Sequence, residues 1–277
     1  MKTPPDRAGA TIAFAFTGVL ALAGLCCSGA AAASGTGEQP DTELQLGQEV
    51  FDQLKSKGEI VATSPLYDQL EPIATRITQA AQPLYEHPFK FYLVHQTQPN
   101  AFSTPGGNVY VADALLYFVK NREELAGTLC HEVAHTIHHD TVALMEKRQR
   151  LALREAGAGV LVGPTPARLL AIALVGRLNS LGYSREAESR ADVTGSDICA
   201  AARYNPWGLV WLFSDFKNAQ IGETPELLSD HPDDDHRVRT LEEHFRRNPK
   251  AFARFDPDAG SATTFSLPAE TAETFLK

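Results

Sequence analysis

Two histidines and a glutamate in one short segment have the types and spacing of a metal site. The segment reads His131-Glu132-Val133-Ala134-His135. Four residues are about one helical turn, so both imidazoles share a helix face and can reach one Zn²⁺ at about 2.0–2.1 Å. Glu132 lies about 100° round the helix, where it can contact a water molecule beside the metal. The pattern predicts zinc ligands at His131 and His135 and a general base at Glu132.

The third ligand must come from outside this segment. His138 is seven residues from His131, about 10.5 Å along a helix, which is too far for both to bind one tetrahedral metal. A sharp turn that returned a later histidine would need Gly near position 138 and His near 141, where the sequence has His138 and Thr141. We therefore expect His138 and His139 to be partly exposed helix residues.

A later pair of carboxylates one helical turn apart is the better candidate. Within residues 186–192, Glu188 can bind the metal, while Asp192 can accept the other N–H of a ligand imidazole and fix its tautomer. The alternative is a solvated acidic helix face with Arg185 and Arg190 as its partners.

Helices are predicted to carry both groups. Asn121 is a good N-cap, and Glu123 and Glu124 in the first turn favour a helix that continues to about Leu151. Residues 184–203 have the pattern of a second helix.

Apolar spacing predicts the remaining elements. We expect helices over residues 44–54, 67–84, 114–119, 207–216 and 238–245, and strands over 89–94 and 109–111. The apolar stretch 157–178 is interrupted by glycine and proline, so neither half can span a bilayer, and we expect a buried or lid-forming helical hairpin.

The N-terminus has the three-part layout of a secretory signal. Basic residues precede an apolar run over 10–26, and small residues follow over 28–35. We predict a signal peptide over residues 1–33. The alternatives are an N-terminal anchor helix and lipid attachment at Cys26 or Cys27.

The composition limits the classes of function. The 277 residues include 25 basic and 34 acidic side chains, a net charge of −9, so a nucleic-acid-binding surface is not expected. Two cysteines remain after the predicted signal, Cys130 and Cys199. The sequence does not place them within bonding distance, and we interpret Cys130 as a packing residue.

Five blocks in order resemble the zinc metalloendopeptidases of the CaaX prenyl protease, HtpX and OMA type, in particular their soluble periplasmic BepA/LoiP-like branch. The resemblance covers most of the chain after the predicted signal. The blocks lie at residues 100–111, 124–135, 183–192, 204–206 and 231–237. His139-Asp140 stands where relatives often have Arg-His, a departure that we expect to alter only the helix end.

The resemblance implies a fold and a set of ligands. The fold is a gluzincin domain of the α+β class, mainly α, with a small β-sheet whose edge strand flanks the zinc-site helix. His131, His135 and Glu188 would bind one Zn²⁺ per chain, Glu132 would be the base, and Asp192 would close the ligand segment.

The resemblance also implies roles for two residues near the C-terminus. His231 would lie near the metal, either on the zinc in a resting state or at the oxyanion; the alternative is an ordinary loop histidine. Arg237 would orient that loop, or else form a simple salt bridge with one of the nearby aspartates at 233–235.

The function implied is zinc-dependent cleavage of unfolded or misassembled cell-envelope proteins outside the cytoplasm. Substrate would add as an extended strand beside Asn108, Val109, Tyr110 and Val111, because backbone pairing accepts many sequences. Peripheral association with a membrane or with outer-membrane assembly machinery is expected. The alternatives are a zinc-containing periplasmic chaperone or assembly factor with latent proteolysis, and a structural zinc module.

These expectations divide the chain into four parts. They are a signal peptide over residues 1–33, a flexible leader over 34–43, a zinc metallopeptidase domain over 44–255, and a loose C-terminal tail over 256–277.

Overall fold

The computed structural model describes residues 41–156, 182–218, 227, 231, 235–265 and 267. The predicted signal peptide and the predicted hairpin over 157–178 lie outside these residues. Within the described part of the chain, no helix combines the length and apolar character needed to cross a membrane.

Helices dominate the described part of the chain, beside one small sheet, which confirms the predicted mainly helical α+β class. The helices are α1 (Thr42–Ser56), α2 (Tyr67–Ala81), α3 (Asp113–Phe118), α4 (Arg122–Ile137), α5 (Asp140–Ala156), α6 (Arg185–Ala201), α7 (Gly208–Asn218), α8 (Asp235–Arg247) and α9 (Pro249–Phe252). The strands are β1 (Ile60–Val61), β2 (Lys90–Val94), β3 (Ala101–Thr104) and β4 (Asn108–Ala112).

The sheet order corrects one expectation. The order is β1-β2-β4-β3, with β4 parallel to β2 and antiparallel to β3. Val109 is paired with Phe91 on one side and with Ser103 on the other. The prediction that Asn108–Val111 is the edge strand is therefore wrong, and the edge strand that packs against α4 is β3.

Helix α4 is the central element of the domain. The Asn121 side chain accepts the backbone N–H of Glu124 at 2.9 Å, and Glu124 Oε2 accepts the backbone N–H of Lys120 at 2.7 Å. The Asn121 bond satisfies an N–H group that a helix start leaves free, and the Glu124 bond ties down the residue before the N-cap. Every residue from Glu124 to Thr136 is buried, because α6, α7 and the sheet surround the helix.

The α4 helix ends earlier than the sequence predicts. It stops at Ile137, and α5 begins at Asp140, so the expected continuous helix to Leu151 is wrong. His139 between them has φ of 53°, the left-handed conformation that commonly ends helices and that costs a non-glycine residue about 1 kcal/mol. His138 is the C-cap of α4 rather than a residue within a helix.

Helices α4 and α6 approach each other closely and are covalently joined. A Cβ added at Gly195 of α6 would lie 3.0 Å from the Cys130 oxygen and 3.0 Å from the His131 nitrogen. Close by, Cys130 and Cys199 form a disulfide with Cα atoms 5.9 Å apart. The interpretation of Cys130 as only a packing residue is therefore wrong.

The chain after residue 255 is not a loose tail where the structure describes it. The Trp211 indole donates to the Pro257 carbonyl at 2.8 Å, and the Arg122 backbone N–H donates to the Thr263 carbonyl at 3.1 Å. These bonds dock the segment on α7 and on the start of α4.

Replacing Gly195 with alanine should destabilise the domain. The added methyl group meets the α4 backbone, and overpacking of this kind costs about 1–3 kcal/mol. Urea denaturation measures the change in the free energy of unfolding. Gly182→Ala is the matched control, since its Cβ would meet nothing within 4 Å. Equal stability of the two variants would contradict the close packing of α4 on α6.

Candidate metal centre

Four buried side chains converge, two from α4, one from α6 and that of His231. One nitrogen or oxygen atom from each of His131, His135, Glu188 and His231 can be chosen so that all four lie within 4.8 Å of one another. All four residues are at most 3% exposed. The structure thus brings together three residues predicted as ligands and the histidine predicted to lie near them.

Both α4 histidines turn the same ring nitrogen towards the cluster. Nε2 of His135 lies 3.0 Å from Nε2 of His131. Carboxylate oxygens of Glu188 lie 3.3 Å from His131 Nε2 and 3.6 Å from His135 Nε2. Two imidazole nitrogens and a carboxylate are the donors of many catalytic zinc sites, so the side chains fit this metal.

Glu132 gives the second indication that a metal belongs here. Its side chain is fully buried, and neither carboxylate oxygen makes a hydrogen bond to any part of the chain that the structure describes. His231 Nε2 lies 3.3 Å from Oε1. A buried carboxylate without a donor is unfavourable unless a cation or a water molecule joins it.

Asp192 lies beside the outer nitrogen of His131, one of the two predicted ligand imidazoles. Its Oδ1 lies 3.0 Å from His131 Nδ1, and Arg237 donates to both its oxygens at 2.6 and 2.8 Å. Burial opposes ionisation, but the Arg237 charge and its hydrogen bonds lower the pKa of Asp192 to about 2. Asp192 therefore stays a carboxylate beside the outer nitrogen of His131.

Arg237 connects three parts of the site. Its Nη1 lies 3.0 Å from Glu188 Oε2 and donates to the His231 carbonyl at 3.2 Å, in addition to the Asp192 contact. Its guanidinium also lies over the Phe213 ring, 4.6 Å from the centroid. This geometry matches the predicted orienting contact to the His231 backbone. Of the alternative partners, Asp235 pairs with Lys217 at 2.9 Å, and residues 233 and 234 lie outside the described residues.

Glu188 stays charged despite its burial. Desolvation opposes its ionisation, but the adjacent His231 and hydrogen bonds from the histidines hold its pKa well below the usual range. A permanently charged carboxylate is suited to bind a cation.

Sequence reasoning missed the residues that support His135. Asp140 Oδ2 lies 2.9 Å from His135 Nδ1, and Arg190 donates to Asp140 Oδ1 at 2.7 Å. The Tyr183 ring stacks on the His135 ring with centroids 4.0 Å apart, and its hydroxyl lies 2.8 Å from Thr141 Oγ1. The expectation that the departure at 139–140 alters only the helix end is therefore wrong.

The remaining predicted residues serve packing near the site. Tyr110 on β4 stacks with Phe102 at 5.0 Å between centroids, and the Asn108 amide donates to the Gly47 carbonyl at 3.1 Å. His138 contacts Thr194 rather than the cluster, with Nε2 2.8 Å from the hydroxyl oxygen.

The chain belongs to peptidase family M48, whose family model matches residues 63–244. It is 27% identical over 209 residues to the beta-barrel assembly-enhancing protease of Yersinia pestis, and 26% identical over 200 residues to that of Escherichia coli K12. Those alignments cover 72% and 69% of this chain but only 43% and 41% of the relatives.

A mitochondrial relative also aligns with this chain. The mitochondrial metalloendopeptidase OMA1 of Schizosaccharomyces pombe is 26% identical over 212 residues, which cover 73% of this chain and 61% of that protein. The chain thus spans less than two thirds of the length of each of these three relatives.

Replacing Arg237 with methionine should strongly destabilise the domain. Two buried carboxylates, Asp192 and Glu188, would lose their cation, and breaking a buried ion pair costs about 3–5 kcal/mol. Urea denaturation checks the loss. Arg239→Met is the control, because Arg239 is exposed on the same helix and should change stability by less than about 0.5 kcal/mol. Similar stability of both variants would refute the central role of Arg237.

Proposed function

We propose that this chain is a zinc-dependent endopeptidase. The observation that carries the proposal is Glu132, a buried carboxylate that makes no hydrogen bond within the described residues and lies beside the two α4 histidines, Glu188 and His231. A structural zinc module needs the ligands but has no use for such a base. Membership in a peptidase family and the printed names of the relatives support the same function.

The proposed chemistry divides the work among the side chains. His131, His135 and Glu188 would hold the zinc, which would supply Lewis-acid polarisation of the scissile carbonyl and lower the pKa of a water molecule. Glu132 takes the proton of the attacking water and returns it to the leaving amine. Burial of the site excludes other water and strengthens these electrostatic interactions.

His231 is proposed to close the site in its resting state. Its Nδ1 lies 3.0 Å from Glu188 Oε1, and its Nε2 lies 3.3 Å from Glu132 Oε1, so the ring occupies the space between the base and a ligand. The site is also deeply buried, which favours a latent form of the protease. This geometry keeps a second candidate function open, a zinc-containing periplasmic chaperone or assembly factor in which proteolysis is latent.

We propose that substrate adds beside β3, and not beside β4 as the sequence predicts. Both edges of β4 are occupied, whereas one edge of β3 is not paired within the described sheet. An extended polypeptide added there would lie beside α4, and backbone pairing accepts many sequences. All four β3 residues are at most 5% exposed, so we propose that strand addition requires an opening of the site.

Unfolded or misassembled cell-envelope proteins are the proposed substrates, and the periplasm is the proposed location. The names of the bacterial relatives support an envelope role. The Cys130–Cys199 disulfide supports an oxidising compartment. The secretory layout of residues 1–33 agrees with this location, with lipid attachment at Cys26 or Cys27 as the alternative. We also propose peripheral association with a membrane or with outer-membrane assembly machinery.

Replacing Glu132 with glutamine should abolish most hydrolysis while zinc remains bound. The amide keeps the size of the side chain but cannot accept the proton, and loss of a general base lowers the rate about 10²–10⁴-fold. The measurements are cleavage of an unfolded protein substrate and the zinc content of the purified variant. Glu186→Gln, on the exposed face of α6, is the control. Cleavage at the wild-type rate by zinc-loaded Glu132→Gln would eliminate Glu132 as the base.

Replacing His231 with alanine should raise peptidase activity. Removal of the ring frees the space beside Glu132 and Glu188 for substrate. Steady-state cleavage of an unfolded substrate, measured with His236→Ala as an exposed control, checks this outcome. A loss of activity would instead assign His231 to the oxyanion, and unchanged activity would remove it from both roles.

A further inference from the structure

Each α4 histidine has an aspartate beside its Nδ1, and each of these aspartates is bound by an arginine. The first triad is Arg237, Asp192 and His131, and the second triad is Arg190, Asp140 and His135. In both triads the aspartate lies within 3.0 Å of the histidine Nδ1 and within 2.7 Å of an arginine nitrogen. Both histidines consequently present Nε2 to the cluster.

The two triads differ in their contact with solvent. Arg237 is 3% exposed, whereas the side chain of Arg190 is 53% exposed. Arg190 also lines a surface cavity of about 280 Å³ together with His138, Ser189 and Thr194. The second triad therefore runs from a buried proposed ligand, His135, to the protein surface at Arg190.

Asp140 reaches His135 only because α4 ends at residue 137. In a continuous helix, a residue five positions after His135 would lie about 140° round the axis and about 7.5 Å along it. The left-handed conformation of His139 turns the chain, and the Asp140 carboxylate returns to within 2.9 Å of His135 Nδ1. An unfavourable backbone conformation is thus coupled to a contact with a proposed metal ligand.

We propose that Asp140 and Arg190 are positioning residues that fix the ring orientation and tautomer of His135 for zinc binding. The inference rests on the proposed zinc centre, but it does not require that the chain hydrolyse peptides. Asp140 accepts the Nδ1 hydrogen of His135, which leaves Nε2 free as a metal donor. Arg190 holds the other oxygen of Asp140 and restricts the rotation of that carboxylate.

Zinc titration of metal-stripped protein with a competing chromophoric chelator tests the proposal. Asp140→Ala should weaken zinc binding about 10–100-fold, the effect expected when the partner of a ligand histidine is lost. Arg190→Ala should weaken it less, because Asp140 remains, and Arg190→Lys should restore part of the affinity. The exposure of Arg190 makes its variants suitable for a folded protein.

A matched control comes from another aspartate–histidine pair, between Asp197 of α6 and His244 of α8. Asp197 Oδ1 lies 2.9 Å from His244 Nε2 at the surface, away from the cluster. Asp197→Ala removes the same kind of contact and should leave the zinc affinity unchanged. Zinc affinities of the Asp140 and Arg190 variants within twofold of wild type would overturn the proposal.

Two further measurements separate positioning from a purely structural role. The visible spectrum of the Co²⁺-substituted protein should change in Asp140→Asn, because the amide alters the partner of a ligand without altering its size. Thermal unfolding of the metal-stripped Arg190 variants should stay close to that of the wild type, because this side chain is 53% exposed. A large loss of thermal stability with an unchanged cobalt spectrum would overturn the proposal. Because the titration measures zinc directly, its result is independent of proteolysis.

Discussion

Close packing of helices α4 and α6 determines most of what the described structure can do. Gly195 allows the two backbones to approach, and a side chain at that position would separate them. His131 and His135 lie on α4 and Glu188 lies on α6, so the distance between the helices sets the distance between the proposed ligands. The sheet, α7 and the docked C-terminal segment surround this pair and keep water away from it.

Burial at this contact creates an imbalance of charge. Arg237 is the one lysine or arginine side chain that is buried among the described residues. The buried carboxylates of the cluster are Glu132, Glu188 and Asp192, while the buried Asp140 is paired with the half-exposed Arg190. A divalent cation would offset the excess negative charge, which is a physical reason for a metal at the cluster that does not depend on the sequence motif.

The sequence predicted those features that depend on local spacing. Two histidines four residues apart need only a helix, and the Asn121 cap marks where that helix begins. The position of Glu188 followed from its chemistry once a third ligand was required. The Arg237 contacts with Asp192 and Glu188 were not predicted, because they join α6 to α8 across more than forty residues of chain.

Other features depend on contacts that local patterns do not encode. The edge position of Asn108–Val111 was mispredicted because β3 and β4 form a hairpin whose inner strand, β4, also pairs with β2. Alternation of side chains is the same in inner and edge strands. The helix break at His139 carries no glycine signal, so Asp140 was read as the continuation of a helix end. Because the turn at His139 was not predicted, Asp140 was not recognised as the partner of His135.

The disulfide changes how far apart the proposed ligands are along the covalent chain. His131 and Glu188 are 57 residues apart in sequence, but His131 follows Cys130 directly, and Glu188 lies 11 residues before Cys199. Across the bond, the path between them is about a dozen residues. Closing the shorter loop costs about 1 kcal/mol less conformational entropy. Oxidation of the cysteines before metal binding would thus make the ligand set a local structure that can assemble early in folding.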